Sequence, residues 1–212
     1  MNMLRRSFIL VLALCALGAV PCRAQQDVWH QEAAKLASLL NWHDGSVVAD
    51  IGAGKGQLTA AAAELIAPSG KIYSTELDSE EVAHLKELAA NQKNIIVLQA
   101  AEASTNLPAA CCDSIFMRLV YHHLTKPAEI DASLFQALKP GGRLAVIDEN
   151  PSKGSTIPPG VPANRIGHGI PQKILISELT AAGFKVETIL NTWPAGDAYH
   201  PIYCVVFLKP AS

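Results

Sequence analysis

The residues best placed for ligand chemistry lie in the segment 47–56, where an acidic residue is followed by three alternating glycines. The apolar residues before the glycines indicate a strand that is buried on both faces of a parallel sheet. Gly52, Gly54 and Gly56 allow a sharp turn and let bare backbone approach a ligand where a Cβ would collide. Residues 57–66 then predict a helix whose first N–H groups point back at that ligand. A strand, glycine loop and helix in this order build a nucleoside-binding crevice.

Three nucleotide-binding patterns compete for this loop. A dinucleotide fingerprint needs Gly-x-Gly-x-x-Gly, whereas the spacing here is Gly-x-Gly-x-Gly. A P-loop needs Gly-Lys followed by Ser or Thr, but Gly56 follows Lys55 and no glycine stands at position 49. The remaining pattern runs from Asp50 to Gly56 and resembles the first motif of class I S-adenosylmethionine (SAM)-dependent methyltransferases.

Two further acidic residues follow predicted strands at positions that this family uses. The strand 71–75 is followed by Glu76, where a carboxylate can accept hydrogen bonds from both ribose hydroxyls. Asp78 is the alternative ribose ligand, but we favour Glu76 because it directly follows the strand. The strand 94–99 leads to Glu102, and the resemblance implies that Glu102 meets the adenine amino group.

A second specific phrase, Leu-Lys-Pro-Gly-Gly, occupies residues 138–142. It predicts that a helix ends at Lys139–Pro140, that a Gly-Gly turn follows and that a buried strand then begins. Methyltransferases of this class, the type 11-like members included, carry the phrase before their fifth strand. The resemblance covers about residues 28–209. It implies one α/β domain with a Rossmann-like, doubly wound and mainly parallel seven-stranded sheet whose last strand is antiparallel.

The resemblance also implies the chemistry of the site. SAM would be the methyl donor and S-adenosylhomocysteine the product of an in-line displacement at the sulfonium-bound methyl. Because the donor is already activated, the enzyme chiefly aligns the nucleophile and removes its proton. Asp50 should position the glycine loop. The cofactor-binding residues implied in this way are Asp50, Gly52, Gly54, Gly56, Glu76 and Glu102.

Two loops supply candidates for catalysis. Tyr121, His122 and His123 follow the fourth strand, beside the glycine loop. Beyond the fifth strand come an Asp-Glu-Asn sequence at 148–150 and a Gly/Pro-rich loop of the length used for lids, and then His168 between two glycines. Histidine has a pKa naturally near neutrality, which suits a general base. We predict His168 as the base and His122 as the second candidate.

The first 24 residues have the pattern of an export signal. Arg5 and Arg6 precede about fourteen largely apolar residues, too few for a membrane span but enough for a signal h-region. The segment Cys22-Arg-Ala24 ends in a small residue, which predicts cleavage after Ala24. We therefore expect an exported domain of residues 25–212, periplasmic or secreted, with no stable membrane span once processed.

Charge and cysteine content narrow the choice of partner. Cleavage would remove three arginines and no acidic residue, which changes the formal net charge from −2 to −5. Because such a domain has no basic stripe, a nucleic-acid substrate is disfavoured. We expect a small-molecule methyl acceptor. Cys111 and Cys112 are adjacent and could pair only with strain, and Cys204 lies in a predicted strand. No Cys/His spacing resembles a zinc motif, so the sequence predicts no metal ligand.

Two other functions remain open at this stage. An exported SAM- or nucleoside-binding protein would keep the crevice and transfer little or no methyl. An NAD-dependent oxidoreductase fits the first strand–loop–helix unit but neither the glycine spacing nor the Lys-Pro-Gly-Gly phrase. The acceptor is also open, since a small molecule, a lipid-derived quinol and a protein side chain are all compatible. Trp193, Asp197 and His200 precede the last strand and suit either core packing or substrate contact.

Overall fold

The fold comes from a computed structural model that describes residues 20–194 and 201–211. Within these ranges five α-helices and seven strands follow one another along the chain. The helices are α1 (Val20–Leu40), α2 (Gln57–Leu65), α3 (Ser79–Asn91), α4 (Pro127–Ala137) and α5 (Gln172–Ala181). The strands are β1 (Val47–Ile51), β2 (Lys71–Glu76), β3 (Ile95–Gln99), β4 (Cys112–Arg118), β5 (Leu138–Glu149), β6 (Lys185–Leu190) and β7 (Ile202–Leu208).

The seven strands form one sheet in the order β3-β2-β1-β4-β5-β7-β6. Neighbours from β3 to β5 are parallel, and β7 runs antiparallel to both β5 and β6. The predicted architecture, including the antiparallel last strand, is confirmed. The chain leaves β1 toward β2 on one side and returns to β4 on the other, and ligands bind at the carboxyl ends of strands beside such a switch point.

Apolar residues cover both faces of the sheet. One core cluster joins the sheet to α4 and α5, for example through Leu134 and Leu175. The other joins it to α1 and α2, for example through Leu36 and Leu58. Because the central strands are buried on both faces, their sequences read as nearly continuous apolar runs rather than as an alternation. In the described part of the chain, no helix is both long and apolar enough to cross a membrane.

At the Lys-Pro-Gly-Gly phrase the structure corrects one predicted boundary. We expected the helix to reach Lys139–Pro140, but α4 ends at Ala137 and β5 begins at once. Leu138 is fully buried and already pairs with Cys112 of β4, so the strand starts before the glycines. The register shifts between Cys112 and Ser114, which accommodates the turn as an irregularity within the β4–β5 ladder.

Candidate active site

A cavity of about 300 Å³ opens at the carboxyl ends of the central strands. This volume is at the lower end of the range for small-molecule sites. Its wall is partly apolar and carries a few polar groups, which is the usual make-up of a cofactor site. Residues that line it include Gly52, Glu76, Glu102, Thr105, Val120 and His123. Three of the six predicted cofactor residues are in this set.

The glycine loop has the conformation that its sequence predicts. Gly52, Gly54 and Gly56 have φ values of 70°, 53° and 77°, which L side chains rarely adopt. A Cβ on Gly52 would lie 2.5 Å from the side chain of Val120 across the cavity. A Cβ on Gly56 would lie 2.7 Å from Leu85 of α3. The first glycine therefore opens the cavity, whereas the third allows α3 to pack closely.

Glu76 occupies the end of β2 and lines the cavity. One carboxylate oxygen accepts the Gly54 N–H at 3.0 Å, and the other accepts the Leu77 N–H at 2.6 Å. The alternative ribose ligand, Asp78, caps α3 instead by accepting the N–H groups of Glu80 and Glu81. This division of roles supports Glu76 as the carboxylate that faces the ligand.

Glu102 lies on the other side of the same cavity, in a short turn after β3. Its side chain is 62% exposed and lies 3.8 Å from the Lys126 ammonium. A surface pair of this kind contributes little to stability, so the carboxylate stays available for a ligand.

Asp50 is buried at the end of β1 and does not line the cavity. Thr59 of α2 donates a 2.6 Å hydrogen bond to its carboxylate. Burial raises the pKa of Asp50 to about 7, with a smaller contribution from the nearby Glu76 charge, while the Thr59 hydrogen bond and Arg118 act in the opposite direction. Asp50 thus fixes the loop indirectly, because it ties β1 to α2 on either side of the glycines.

Replacing Asp50 by asparagine should make the free energy of unfolding less dependent on pH, because one titrating carboxyl is removed. Because the folded-state pKa of about 7 lies above the ordinary value of 3.8, the folded protein keeps a proton that the unfolded chain releases. The free energy of unfolding therefore falls as pH rises through this window, by at most about 1.4 kcal/mol per pH unit for one group. Urea unfolding from pH 4 to pH 8 measures this slope.

Two comparisons sharpen that test. Thr59→Val removes a hydrogen bond that lowers the Asp50 pKa, so the decline in stability should extend to higher pH. The pKa of buried Asp131 is also raised to about 7. The Asp50→Asn protein should therefore keep the part of the pH dependence that comes from Asp131. An unchanged slope in Asp50→Asn would assign the titration to other groups.

His122 lies in a short 3-10 helix after β4 and is 2% exposed. Its Nδ1 lies 2.6 Å from the carboxylate of Asp148, which is fully buried at the end of β5. The His122 backbone N–H donates to the same carboxylate. Among the described residues the other ring nitrogen, Nε2, is buried without a hydrogen-bond partner. The ring is therefore held by Asp148 with one nitrogen left for a ligand.

His168 comes from the loop after β5 and packs edge-on against the same ring. The His122 and His168 ring centroids are 4.6 Å apart, and His168 Nδ1 lies 3.5 Å from a Glu149 carboxylate oxygen. A Cβ on Gly169 would lie 2.9 Å from the Glu149 carbonyl oxygen, so only glycine lets this loop lie directly on the end of β5. The structure thus brings the two predicted catalytic histidines into contact.

His123 connects this pair to the cavity, which it lines. Its ring centroid lies 4.1 Å from that of His122 and 5.0 Å from that of His168. Desolvation lowers the pKa of His123, and its two histidine neighbours act in the same direction. Sequence reasoning placed His123 near the site but did not select it as catalytic, and the His-His pair after β4 was the available signal.

Other candidate residues have structural roles. The Tyr121 hydroxyl lies in the core, 2.9 Å from Asp131 and 3.1 Å from Glu178, and not in the cavity. Trp193 is buried and its indole N–H donates to Glu32 of α1, which is core anchoring rather than substrate contact. The candidates Asp197 and His200 lie outside the described residues.

Comparisons with known proteins agree with this geometry. Residues 49–146 match the family described as "Methyltransferase domain". A demethylmenaquinone methyltransferase of Symbiobacterium thermophilum is 25% identical over 136 residues, which are 63% of this chain and 53% of the relative. A ubiquinone/menaquinone biosynthesis C-methyltransferase of Marinomonas is 28% identical over 107 residues, 49% of this chain and 43% of the relative. The chain spans about half the length of these curated relatives.

The fold is also shared with solved structures. A SAM-dependent methyltransferase from Aquifex aeolicus superimposes with a TM-score of 0.68 at 22% identity, over 84% of this chain and 89% of that one. The sheet order and the glycine loop define the fold of a class I methyltransferase. Together with the family match over residues 49–146, they make this chain similar to the class I SAM-dependent methyltransferases. The predicted resemblance is confirmed.

Proposed function

We propose that this protein is an enzyme that transfers a methyl group from SAM to a small-molecule acceptor. The observation that carries this proposal is the cavity at the strand switch point, where Gly52, Glu76 and Glu102 line one space. A ribose diol suits Glu76, and an adenine amino group suits Glu102, because each carboxylate accepts hydrogen bonds from the group assigned to it. His123 lies in the same wall, so the histidine cluster adjoins the cavity proposed for the cofactor.

The reaction that fits these residues is a direct displacement. The acceptor forms a bond to the methyl carbon while the bond from that carbon to the sulfonium sulfur breaks, and S-adenosylhomocysteine leaves as a neutral thioether. The proton of the acceptor passes to a base. His168 is our first choice for this base because its side chain is 45% exposed and can return the proton to solvent. His122 is the second choice, since Asp148 orients its ring.

Quinols are the first acceptor class to test. Of the two curated relatives described above, one is named a demethylmenaquinone methyltransferase and the other a ubiquinone/menaquinone biosynthesis C-methyltransferase. A quinol hydroxyl also carries a proton that a histidine base can remove. Formation of S-adenosylhomocysteine from SAM and demethylmenaquinol, followed by mass spectrometry, tests this acceptor. Turnover separates an enzyme from a SAM-binding protein that transfers nothing.

The cofactor is tested by calorimetric titration with SAM, with NAD as the competing ligand. We expect Glu76→Ala to weaken SAM binding by about 1.5–3 kcal/mol, the range for hydrogen bonds to a charged group, or about ten- to 150-fold. Glu80→Ala is the matched control, because Glu80 is exposed, carries the same charge and lies on α3 outside the cavity. Equal affinities in wild type and Glu76→Ala would show that Glu76 is not the ribose ligand.

We also propose that the chain is exported and processed after Ala24. This position lies within α1, which begins at Val20, while residues 1–19 lie outside the described part of the chain. All of the α1 side chains described as buried, from Glu32 to Leu40, come after the proposed cleavage site. Cleavage would therefore leave that packed surface intact. The mass and N-terminal sequence of the protein in a periplasmic fraction test the proposal, and an intact Met1 in the cytoplasmic fraction would contradict it.

A further inference from the structure

We propose that His122, His123 and His168 form a binding site for a divalent transition metal, with Zn²⁺ as the best candidate. Each histidine offers one ring nitrogen, and these three atoms all lie within 4.8 Å of one another. A tetrahedral zinc ion with Zn–N bonds of 2.0–2.1 Å requires nitrogens about 3.3 Å apart. Metal binding would require the three nitrogens to close from within 4.8 Å to that distance.

The unpartnered nitrogen of His122 is an independent indication of a ligand. His122 is 2% exposed, and its buried Nε2 has no hydrogen-bond partner in the described chain. A buried polar atom without a partner costs stability, and such atoms are uncommon in folded proteins. A metal ion accepts the lone pair of this nitrogen and accounts for its position.

The carboxylates behind the histidines match those around metal sites. A metal-bound histidine usually directs its second ring nitrogen to a carboxylate, which fixes the tautomer and makes the ligand more basic. Asp148 lies 2.6 Å from Nδ1 of His122, and Glu149 lies 3.5 Å from Nδ1 of His168. The His122 imidazole is therefore oriented with Nε2 free, and a carboxylate lies beside Nδ1 of His168. The two carboxylates also balance the charge of a divalent cation.

The donor set favours zinc with an open coordination position. Three histidines and one exchangeable ligand are the arrangement of catalytic rather than structural zinc. Because His123 also lines the cavity, a metal held by the three histidines would lie beside the space proposed for the donor. The sequence shows no zinc-motif spacing because the ligands come from two loops, after β4 and after β5, that only the sheet brings together.

The catalytic role of this metal rests on the proposed methyl transfer. A hydroxyl or thiol of the acceptor would bind at the open position through a lone pair, and the cation would lower its pKa. The released proton goes to solvent. The acceptor oxygen or sulfur, or in a quinolate the ring carbon next to the bound oxygen, would then bond to the methyl carbon as the bond from that carbon to the sulfonium sulfur breaks; a ring carbon would afterwards lose its own proton to solvent. In this scheme His168 is a metal ligand, and no electrons are exchanged with an oxidant or reductant.

Direct metal titration tests the site without any need for turnover. The full-length protein is stripped with a chelator, titrated with zinc sulfate by calorimetry, and then loaded with Co²⁺ to record its visible absorption. We expect one zinc per chain and the intense absorption of tetrahedral Co²⁺. His168→Ala should weaken zinc binding at least 100-fold, and Asp148→Asn should weaken it about 10- to 100-fold.

The choice of variants keeps the test decisive. His122→Ala removes the imidazole that lies against buried Asp148 and is prone to unfold, whereas the His168 side chain is half-exposed and is the better probe. His84→Ala is the matched control, because His84 is an exposed histidine on α3. If the folded wild type binds no zinc, the proposal is overturned and the three histidines are only rings that pack against one another. Binding that survives His168→Ala overturns it as well.

A parallel SAM titration separates this inference from the proposed function. Zinc binding without SAM binding would support the metal site and overturn the methyltransferase proposal. SAM binding without zinc binding would support the methyltransferase proposal and overturn the metal site.

Discussion

Replacement of His168 by alanine should slow methyl transfer by about 10²- to 10⁴-fold, the usual contribution of a positioned general acid or base. SAM affinity should stay unchanged, because His168 contacts His122 and His123 but does not line the cofactor cavity. Initial rates of S-adenosylhomocysteine formation and SAM titrations on the same preparations provide the two readouts. His84→Ala should change neither of them.

The same variant distinguishes the two roles considered for His168. If His168 is a base, the alanine variant should bind zinc as the wild type does and lose only the rate. If His168 is a metal ligand, rate and zinc affinity should fall together. A collapse of SAM affinity would fit neither role and would place His168 in the cofactor pocket or in the framework of the fold.

The glycine loop and the strand ends around it could be predicted from the sequence because their geometry is local. Asp50, the glycines and Glu76 all belong to one strand–loop–helix–strand unit, in which backbone geometry dictates residue type. A positive φ selects glycine, a helix N-terminus selects a cap such as Asp78, and a strand end exposes the next side chain to the crevice. Each of these rules acts over a few residues, so the pattern itself carries the information.

The histidine cluster could be predicted only in part. Parallel topology places the loops after β4 and β5 at the same edge of the sheet, which brings His122 and His168 near each other. It does not say which way each side chain points. Tyr121 and His122 are neighbours in one turn, yet the tyrosine hydroxyl lies in the core beside Asp131 while the histidine ring meets the other histidines. That difference depends on tertiary packing, which no short-range rule describes.

The helix end predicted at Lys139–Pro140 was wrong for a related reason. Glycine and proline are strong local signals for the end of a helix. Here the burial of Leu138 and its pairing with Cys112 move the start of β5 ahead of those residues. Tertiary contacts decide the boundary, whereas the local signal decides only that a boundary exists.

Gly52→Ala should lower the free energy of unfolding by about 2–5 kcal/mol. A left-handed backbone costs an alanine about 1–2 kcal/mol, and forced contact in a packed site costs about 1–3 kcal/mol. Both apply here, because Gly52 has a φ of 70° and its Cβ would lie 2.5 Å from Val120. SAM affinity should fall too, since the new methyl group occupies the cavity that Gly52 lines. Urea unfolding and SAM calorimetry measure the two effects.

Gly54→Ala and a double variant divide that cost into its parts. Gly54 has a φ of 53°, but a Cβ there would have no atom within 4 Å, so Gly54→Ala should show only the backbone cost of about 1–2 kcal/mol. Adding Val120→Ala to Gly52→Ala should recover the part due to the clash, which appears as a favourable coupling of about 1–3 kcal/mol in the cycle. Absence of coupling would mean that Val120 moves aside without cost. The requirement for glycine at position 52 would then come from the backbone and the cofactor, and not from the wall formed by Val120.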